Sequence, residues 1–220
     1  MSEGKKIAII DYQLGNLFSV KQACVYLGYN AVVTSDKREL LEADFAILPG
    51  VGAFGDAMNN LEKLDLVGPI KDFIGGGKPF MGVCLGLQLL FTESEEFGAC
   101  NGLNLIEGSV RKFPPRNTDN ERLKVPQIEW NNIRESVDRN WENTPLRTCK
   151  NGDYMYFVHS FFVQPRTKDV ILSLTTYGGM TYCSSVLQRN IFACQFHPEK
   201  SGRHGVEIYK NWLTDHSNNK

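Results

Sequence analysis

Three short segments of this 220-residue chain carry the side-chain types that nucleophilic acyl transfer needs. They offer a thiol, an imidazole beside a carboxylate, and backbone N–H groups bracketed by glycine. The thiol is Cys84, in Gly82-Val83-Cys84-Leu85-Gly86, which follows the apolar run Pro79-Phe80-Met81 and leads into Leu87-Gln88-Leu89-Leu90-Phe91. An apolar run of strand length, then G-x-C-x-G, then helix formers is the cysteine form of the nucleophile elbow, whose reactive side chain stands on a strained turn between strand and helix. Flanking glycines lack Cβ, so the two backbones can approach closely. The helix N-terminus behind the sulfur has partial positive charge and unsatisfied N–H groups, which favour a thiolate. A free cysteine is more usually a small buried hydrophobe, so Cys84 needs support from elsewhere in the chain.

That support lies near the other end. Ile191-Phe192-Ala193-Cys194-Gln195-Phe196 reads as a buried strand, followed at once by His197-Pro198-Glu199. Pro198 fixes its own φ and biases His197 towards an extended backbone, where residues two apart point the same way. Glu199 can then fix the histidine's tautomer while the other ring nitrogen faces a nucleophile, the logic of a Cys-His-Glu triad. Between the two in function, though early in the chain, the strand-like Phe45-Ala46-Ile47-Leu48 runs into Pro49-Gly50-Val51-Gly52-Ala53-Phe54. Acyl transfer needs donors aimed where the oxyanion forms. The Leu85 N–H is one, and the Val51-Gly52 loop, its backbone freed by two glycines, supplies another.

The elements that must hold these groups follow an alternating β-α pattern. Strands are expected over 6–11, 31–34, 45–48 and 80–83. Helices are expected over 16–27, from an Asp36 cap to Glu42, over 56–64, and over 67–74 with Gly75-Gly76-Gly77 as the stop. Leu17, Val20, Cys24 and Leu27 are spaced for one buried helix face. This alternation implies an α/β, doubly wound, mainly parallel sheet. From Gly108 to Gln195 strands and turns dominate: one strand over 154–163, others over 170–176 and 181–187, and a Gly178-Gly179 turn. A last helix is expected over 202–214, with Val206, Tyr209 and Leu213 buried. The segment 112–124, rich in Pro, Asn and charge, is expected to be an exposed loop within a single domain spanning 1–220.

GVCLGLQLLF at Gly82 to Phe91, PGVGAF at Pro49 to Phe54 and QFHPEKS at Gln195 to Ser201 together resemble class I glutamine amidotransferases. DYQLGN at Asp11 to Asn16, ESEEFG at Glu93 to Gly98 and YFVHSF at Tyr156 to Phe161 extend the resemblance, which is to the HisH-type glutaminase subunit of imidazole glycerol phosphate synthase. It spans about Lys5 to Leu213. The resemblance implies a flavodoxin-like three-layer domain with an added antiparallel β region. The implied chemistry is hydrolysis of L-glutamine to glutamate and ammonia through a Cys84 thioester. Cys84, His197 and Glu199 would be the triad, Val51, Gly52 and Leu85 the oxyanion hole. Gly50, Gln88, Glu96, His159, Ser160 and Phe161 would surround the substrate. No cofactor is implied.

Ammonia would pass to a (β/α)8-barrel synthase partner, HisF-like, in a heterodimer that makes imidazole glycerol phosphate and an aminoimidazole carboxamide ribotide for histidine biosynthesis. Asn16, Trp130, Asn131 and Lys200 would face that partner. The family usually reads P-H-x-G-W-N where this chain has Pro126-Gln127-Ile128-Glu129-Trp130-Asn131, and Gln13 stands where glycine is common. These departures leave a second partner open, a sugar amidotransferase of surface-polysaccharide synthesis. A stand-alone cysteine hydrolase and an idle regulatory subunit are the other classes; the motifs disfavour the first and the intact triad the second.

Composition excludes several alternatives. Net charge is −1 with basic and acidic residues interspersed, so there is no nucleic-acid footprint. No run has the length of a membrane span or the pattern of a signal peptide, which implies a cytoplasmic protein. Six cysteines without C-x-x-C, and four histidines without zinc spacing, imply neither a disulfide scaffold nor a metal. Gly75-Gly76-Gly77-Lys78 is followed by Pro79 and not by the Ser or Thr of a P-loop, and Asp11 to Asn16 lacks the dinucleotide-binding glycines.

Overall fold

The computed structural model describes residues 4–215. In chain order the elements are β1 (Lys6–Ile10), α1 (Leu17–Tyr26), β2 (Asn30–Thr34), α2 (Lys37–Glu42), β3 (Phe45–Leu48), α3 (Phe54–Lys63), α4 (Val67–Gly75), β4 (Phe80–Val83) and α5 (Leu85–Leu89). Then come β5 (Phe91–Ser94), β6 (Cys100–Asn101), β7 (Ile106–Lys112), β8 (Gln127–Asn132), β9 (Arg134–Glu135), β10 (Tyr154–His159), β11 (Phe161–Pro165) and β12 (Ile171–Tyr177). β13 (Met180–Gln188), β14 (Ile191–Cys194), a short 3-10 turn (Pro198–Lys200) and α6 (Gly202–Asp215) complete it.

Ten strands form the path β2-β1-β3-β4-β14-β13-β11-β7-β5-β6, and β12 and β9 attach beside β13. The first five are mutually parallel, and β13 and β11 continue antiparallel. The parallel strands are buried on both faces, as their continuous apolar runs require. Ala8, Ile10, Ala46 and Leu48 point into one core with the buried faces of α3 and α4. Ile7, Ile9, Phe45 and Ile47 point into the other, against α1 and α6. Phe45 meets Trp212 of α6 edge-on, with centroids 5.4 Å apart. This is the three-layer α/β architecture expected from the alternation, with the antiparallel strands joined to the same sheet.

Helices α1 and α2 carry polar N-caps. Asn16 accepts from the Ser19 N–H at 3.4 Å, and Asp36 accepts from Arg38 and Glu39 at 2.8 and 2.9 Å. Three local expectations need correction. The strand expected over 154–163 is two strands that break at Ser160: β10 pairs only with β8 in a separate two-stranded sheet, whereas β11 pairs with β7 and β13. Both halves alternate alike, so periodicity cannot show a change of partner. Val206 is only half-buried, and α6 buries Ile208, Tyr209, Trp212 and Leu213. Helix α3 starts at Phe54, two residues early, because a carboxylate from a distant loop caps it.

Two glycines are dictated by approach distance. A Cβ at Gly86 would land on the Leu48 carbonyl, and one at Gly50 would meet the Tyr12 hydroxyl and, at 2.7 Å, the Leu85 Cβ. Gly75, by contrast, has open space around its absent side chain. Gly86→Ala should cost about 3 kcal/mol or more, because backbone cannot yield to the methyl group. Gly75→Ala should gain up to about 1 kcal/mol by helix propensity. Urea unfolding of the two variants against the parent checks the contrast.

Candidate active site

The expected catalytic groups all sit at the C-terminal ends of β3, β4 and β14, which are adjacent and parallel. Open α/β sheets bind ligands outside this edge of their strands. Strand pairing puts Leu48 beside Gly82 and Val83 beside Cys194, so the three strands end almost level. The Cys84 N–H still reaches the Cys194 carbonyl at 2.8 Å. The backbone then turns sharply: Cys84 has φ 56° and ψ −109°, and Leu85 begins α5. A non-glycine residue held there costs on the order of 1–3 kcal/mol, a strain typical of active sites. As the first helical residue, Leu85 has an N–H with no partner inside its helix.

His197 follows the end of β14, and Pro198 opens the 3-10 turn behind it. Its Nδ1 lies 2.8 Å from Glu199 Oε1, with both side chains buried. Nε2 is thereby turned to the sulfur side, where N–H···S alignment falls short of a formed hydrogen bond in the resting site. Such bonds are often loose until substrate is bound. Burial alone would lower the His197 pKa from its ordinary 6.5, but the Cys84 thiolate, and after it Glu199, reverse this and push it up to about 10. His197 is therefore held protonated despite its burial.

A cavity of about 270 Å3 opens beside the sulfur, lined by Val51, Gly52, Cys84, Leu85, Gln88, Glu96, His159, Ser160 and Phe161, with Pro126 and Val158 at its wall. Of the residues expected around the substrate, only Gly50 is not on this wall; it lies beneath, packed on Tyr12 and Leu85. The Tyr12 hydroxyl donates to the Pro49 carbonyl at 2.8 Å, fixing the root of the Val51-Gly52 loop. Gly52 has a φ of 106°, and the Val51 side chain is exposed. Glu96 has a second task that its sequence context does not reveal. Its Oε2 accepts the Phe54 N–H at 2.7 Å, the first free donor of α3. Burial raises its carboxyl pKa, and that hydrogen bond partly offsets the rise.

His159 is structural. Its Nδ1 lies 2.7 Å from the Phe161 carbonyl and its Nε2 3.3 Å from the Tyr182 hydroxyl, which donates to Gln127 at 3.0 Å. Complete burial lowers its pKa to about 4, so it is neutral and takes no part in proton transfer.

The residues expected at the docking face divide into two sets. Trp130 is 51% exposed, against the core position usual for a strand tryptophan, and stands edge-on to Tyr156 at 6.1 Å. Lys200 lies 5.7 Å over the same Tyr156 ring. Asn131 is on the opposite side of β8, as alternation requires, and donates to the Thr176 carbonyl at 2.9 Å. Asn16 is occupied as the α1 cap. Gln127 and Glu129 share the Asn131 side, with Gln127 fully buried, so these departures from the family pattern lie away from the Trp130 face. Elsewhere, Cys149, Asp153 and His204 gather their donor atoms within 4.8 Å, a grouping invisible in the spacing of the sequence. Asp153 is already bonded there, to the Lys150 N–H at 2.8 Å and to His204 at 3.4 Å. Among the described residues no helix is long and apolar enough to cross a membrane.

The family model for glutamine amidotransferase class-I matches residues 8–216. The imidazole glycerol phosphate synthase subunit HisH of Geobacter metallireducens is 46% identical over 207 residues, covering 94% of this chain and 96% of that protein. The chain belongs to the class I glutamine amidotransferases, in the HisH family. The HisH subunit of Moorella thermoacetica is 43% identical over 217 residues, with 98% of each chain covered. Among solved structures, PurLQS from Thermotoga maritima superposes with a TM-score of 0.71 at 19% identity, covering 96% of this chain and 98% of that one, a likeness of fold. The triad segments thus stand in an amidotransferase frame.

In this amidotransferase the Cys84 sulfur is the largest influence keeping a proton on His197. The imidazole should titrate near pH 10 in the intact chain, charged below that value and neutral above it. In Cys84→Ala the largest raising influence is gone and burial still opposes charge, so the midpoint should fall substantially. NMR of the His197 ring protons across pH reads both, and an unchanged midpoint in the variant rules out the ion pair.

Proposed function

We propose that Cys84, His197 and Glu199 carry out the glutaminase reaction of this HisH-family protein, and that its ammonia serves imidazole glycerol phosphate synthesis in histidine biosynthesis. The observation that carries this reading is the buried Cys84–His197–Glu199 alignment beside a cavity of about 270 Å3. That volume is below the ~300 Å3 at which pockets for drug-sized ligands begin, and suits a single amino acid.

Cys84 attacks the side-chain amide carbon of L-glutamine. The developing oxyanion rests on N–H groups of Leu85 and the Val51-Gly52 loop. The C–N bond breaks as His197 gives its proton to the departing nitrogen, which leaves as ammonia. Glu199 holds Nδ1 and steadies the imidazolium. Water then attacks the γ-glutamyl thioester and passes a proton to His197, glutamate departs, and the thiolate–imidazolium pair is restored. Glu96 and the Gln88 carbonyl oxygen suit the substrate's ammonium, and the backbone from His159 to Phe161 suits the carboxylate of the same amino-acid end. One glutaminase domain suffices for this chemistry.

The partner we propose is a (β/α)8-barrel synthase of the HisF kind, in a heterodimer, docked over Trp130, Tyr156 and Lys200. An exposed aromatic with a cation beside it is the usual composition of an interface anchor. Free cysteines throughout suit the reducing cytoplasm.

Cys84→Ala should abolish glutamine-dependent synthesis by the complex while synthesis from added ammonium salts persists. Glutamate release by that variant would exclude Cys84 as the nucleophile. Trp130→Ala should weaken association with the synthase at least tenfold without moving the urea midpoint, read by calorimetric titration.

A further inference from the structure

Gln195 is fully buried at the end of β14, and no step of the mechanism above uses it. Its Nε2 lies 3.6 Å from Cys84 Sγ. Whether that atom is nitrogen or oxygen decides what it does to the sulfur, and the surrounding hydrogen bonds settle the matter. A backbone carbonyl, Phe161 O, can only accept. It takes a hydrogen bond from the Gln88 amide at 2.9 Å, which makes that Gln88 atom its nitrogen. The second proton of the same nitrogen goes to Gln195 at 3.0 Å, which makes that Gln195 atom its oxygen. The remaining Gln195 atom, facing the sulfur, is therefore an NH2 donor. His159 Nδ1 occupies the second lone pair of the Phe161 carbonyl at 2.7 Å, so the anchor is saturated and the orientation of both amides is fixed.

We propose that Gln195 is a thiolate-stabilising catalytic residue, donating a hydrogen bond to Cys84 Sγ, and that Gln88 is the positioning residue that orients it. A donor aimed at sulfur favours the thiolate over the thiol. The Val158 carbonyl, which could accept from a thiol, is farther from the sulfur at 3.9 Å. The Gln195 donor therefore prevails. The same bookkeeping deepens the role of Gln88: both its protons are committed to the protein, and only its oxygen is left to accept from the substrate's ammonium.

This inference rests on Cys84 being the nucleophile, and its test separates the two ideas. Alkylation of the full-length chain by iodoacetamide is followed across pH by mass spectrometry of the Cys84 peptide. The variants are Gln195→Met, which keeps length and loses the donor, and Gln195→Glu, which sets a carboxylate against the sulfur. In the parent chain Cys84 should react fastest of the six cysteines and be protected by glutamine; failure here overturns the nucleophile assignment itself. Loss of a hydrogen bond to a charged group moves a titration by about one unit. The Cys84 midpoint should therefore rise about one unit in Gln195→Met and further in Gln195→Glu, with alkylation on the acid side of that midpoint falling about tenfold. Gln88→Met should shift it in the same direction. Protected Cys84 with an unmoved midpoint in folded variants, even with a raised KM for glutamine, overturns the role of Gln195. Should the variants not fold, the unmodified chain still decides: the Gln195 side-chain amide resonances should move with the Cys84 titration and stay fixed in Cys84→Ala. Resonances indifferent to the sulfur overturn the proposal.

Discussion

The contact on which the rest depends is a backbone one, the Leu48 carbonyl pressed against Gly86. Only because Gly86 has no side chain can the first turn of α5 lie against the end of β3. That contact brings the chain leaving β3, from Pro49 to Gly52, alongside the chain leaving β4 at Cys84. An oxyanion site needs donors from two separate segments within a few ångströms of one reacting carbon. Here both segments are strand ends in a parallel sheet, and their spacing is set by the sheet ladder. The contact then closes the remaining gap. Tyr12 fastens the Pro49 carbonyl from the neighbouring β1 end, and Glu96 caps α3 where the loop finishes. The loop is thus held at both ends while its middle, Val51-Gly52, stays at the surface.

Two buried histidines a short way apart show how charge is assigned within this frame. His159 faces a carbonyl and a phenol, so burial dominates and lowers its pKa to about 4. His197 is buried too, yet it faces a thiolate and a carboxylate, and its pKa rises to about 10. Desolvation acts against the cation in both; the partners decide the sign. One histidine is a neutral strut that saturates Phe161 O, and the other is a buried cation.

Much of this was legible in residue order. The nucleophile elbow, His197-Pro198-Glu199 and Pro49-Gly50-Val51-Gly52 each carry their local geometry in a few residues, because glycine and proline act through their own φ values. The alternation of the first hundred residues likewise announces a parallel sheet. What lies beyond such reading is pairing between distant segments. Nothing in Tyr154 to Val163 marks Ser160 as the point where the chain leaves one sheet for another, since both strands alternate with the same period. Gln195 looks like an ordinary residue ahead of a histidine motif, and its meaning appears only when Gln88, 107 positions away in sequence, is found bonded to it. Trp130, by contrast, is expected at the docking face from the resemblance, although tryptophan in a strand is more often core. It is exposed because β8 has only β10 as a partner and no layer covers its outer side.

That isolated pair of strands also carries part of the site's framework. The His197 N–H donates to the Tyr156 carbonyl at 2.9 Å. Ser201 Oγ accepts the Tyr156 N–H at 3.0 Å and donates to the His197 carbonyl at 2.7 Å. His197 is thus stapled to β10, whereas Cys84 belongs to the large sheet through its bond to Cys194. A two-stranded sheet is marginal on its own and takes its position from what it packs against. Trp130 stands directly opposite Tyr156, so its ring contact and the Tyr156 bonds to His197 and Ser201 form one continuous set. The two side chains thus answer to different sheets, His197 to the small one through Tyr156 and Ser201 and Cys84 to the large one through Cys194.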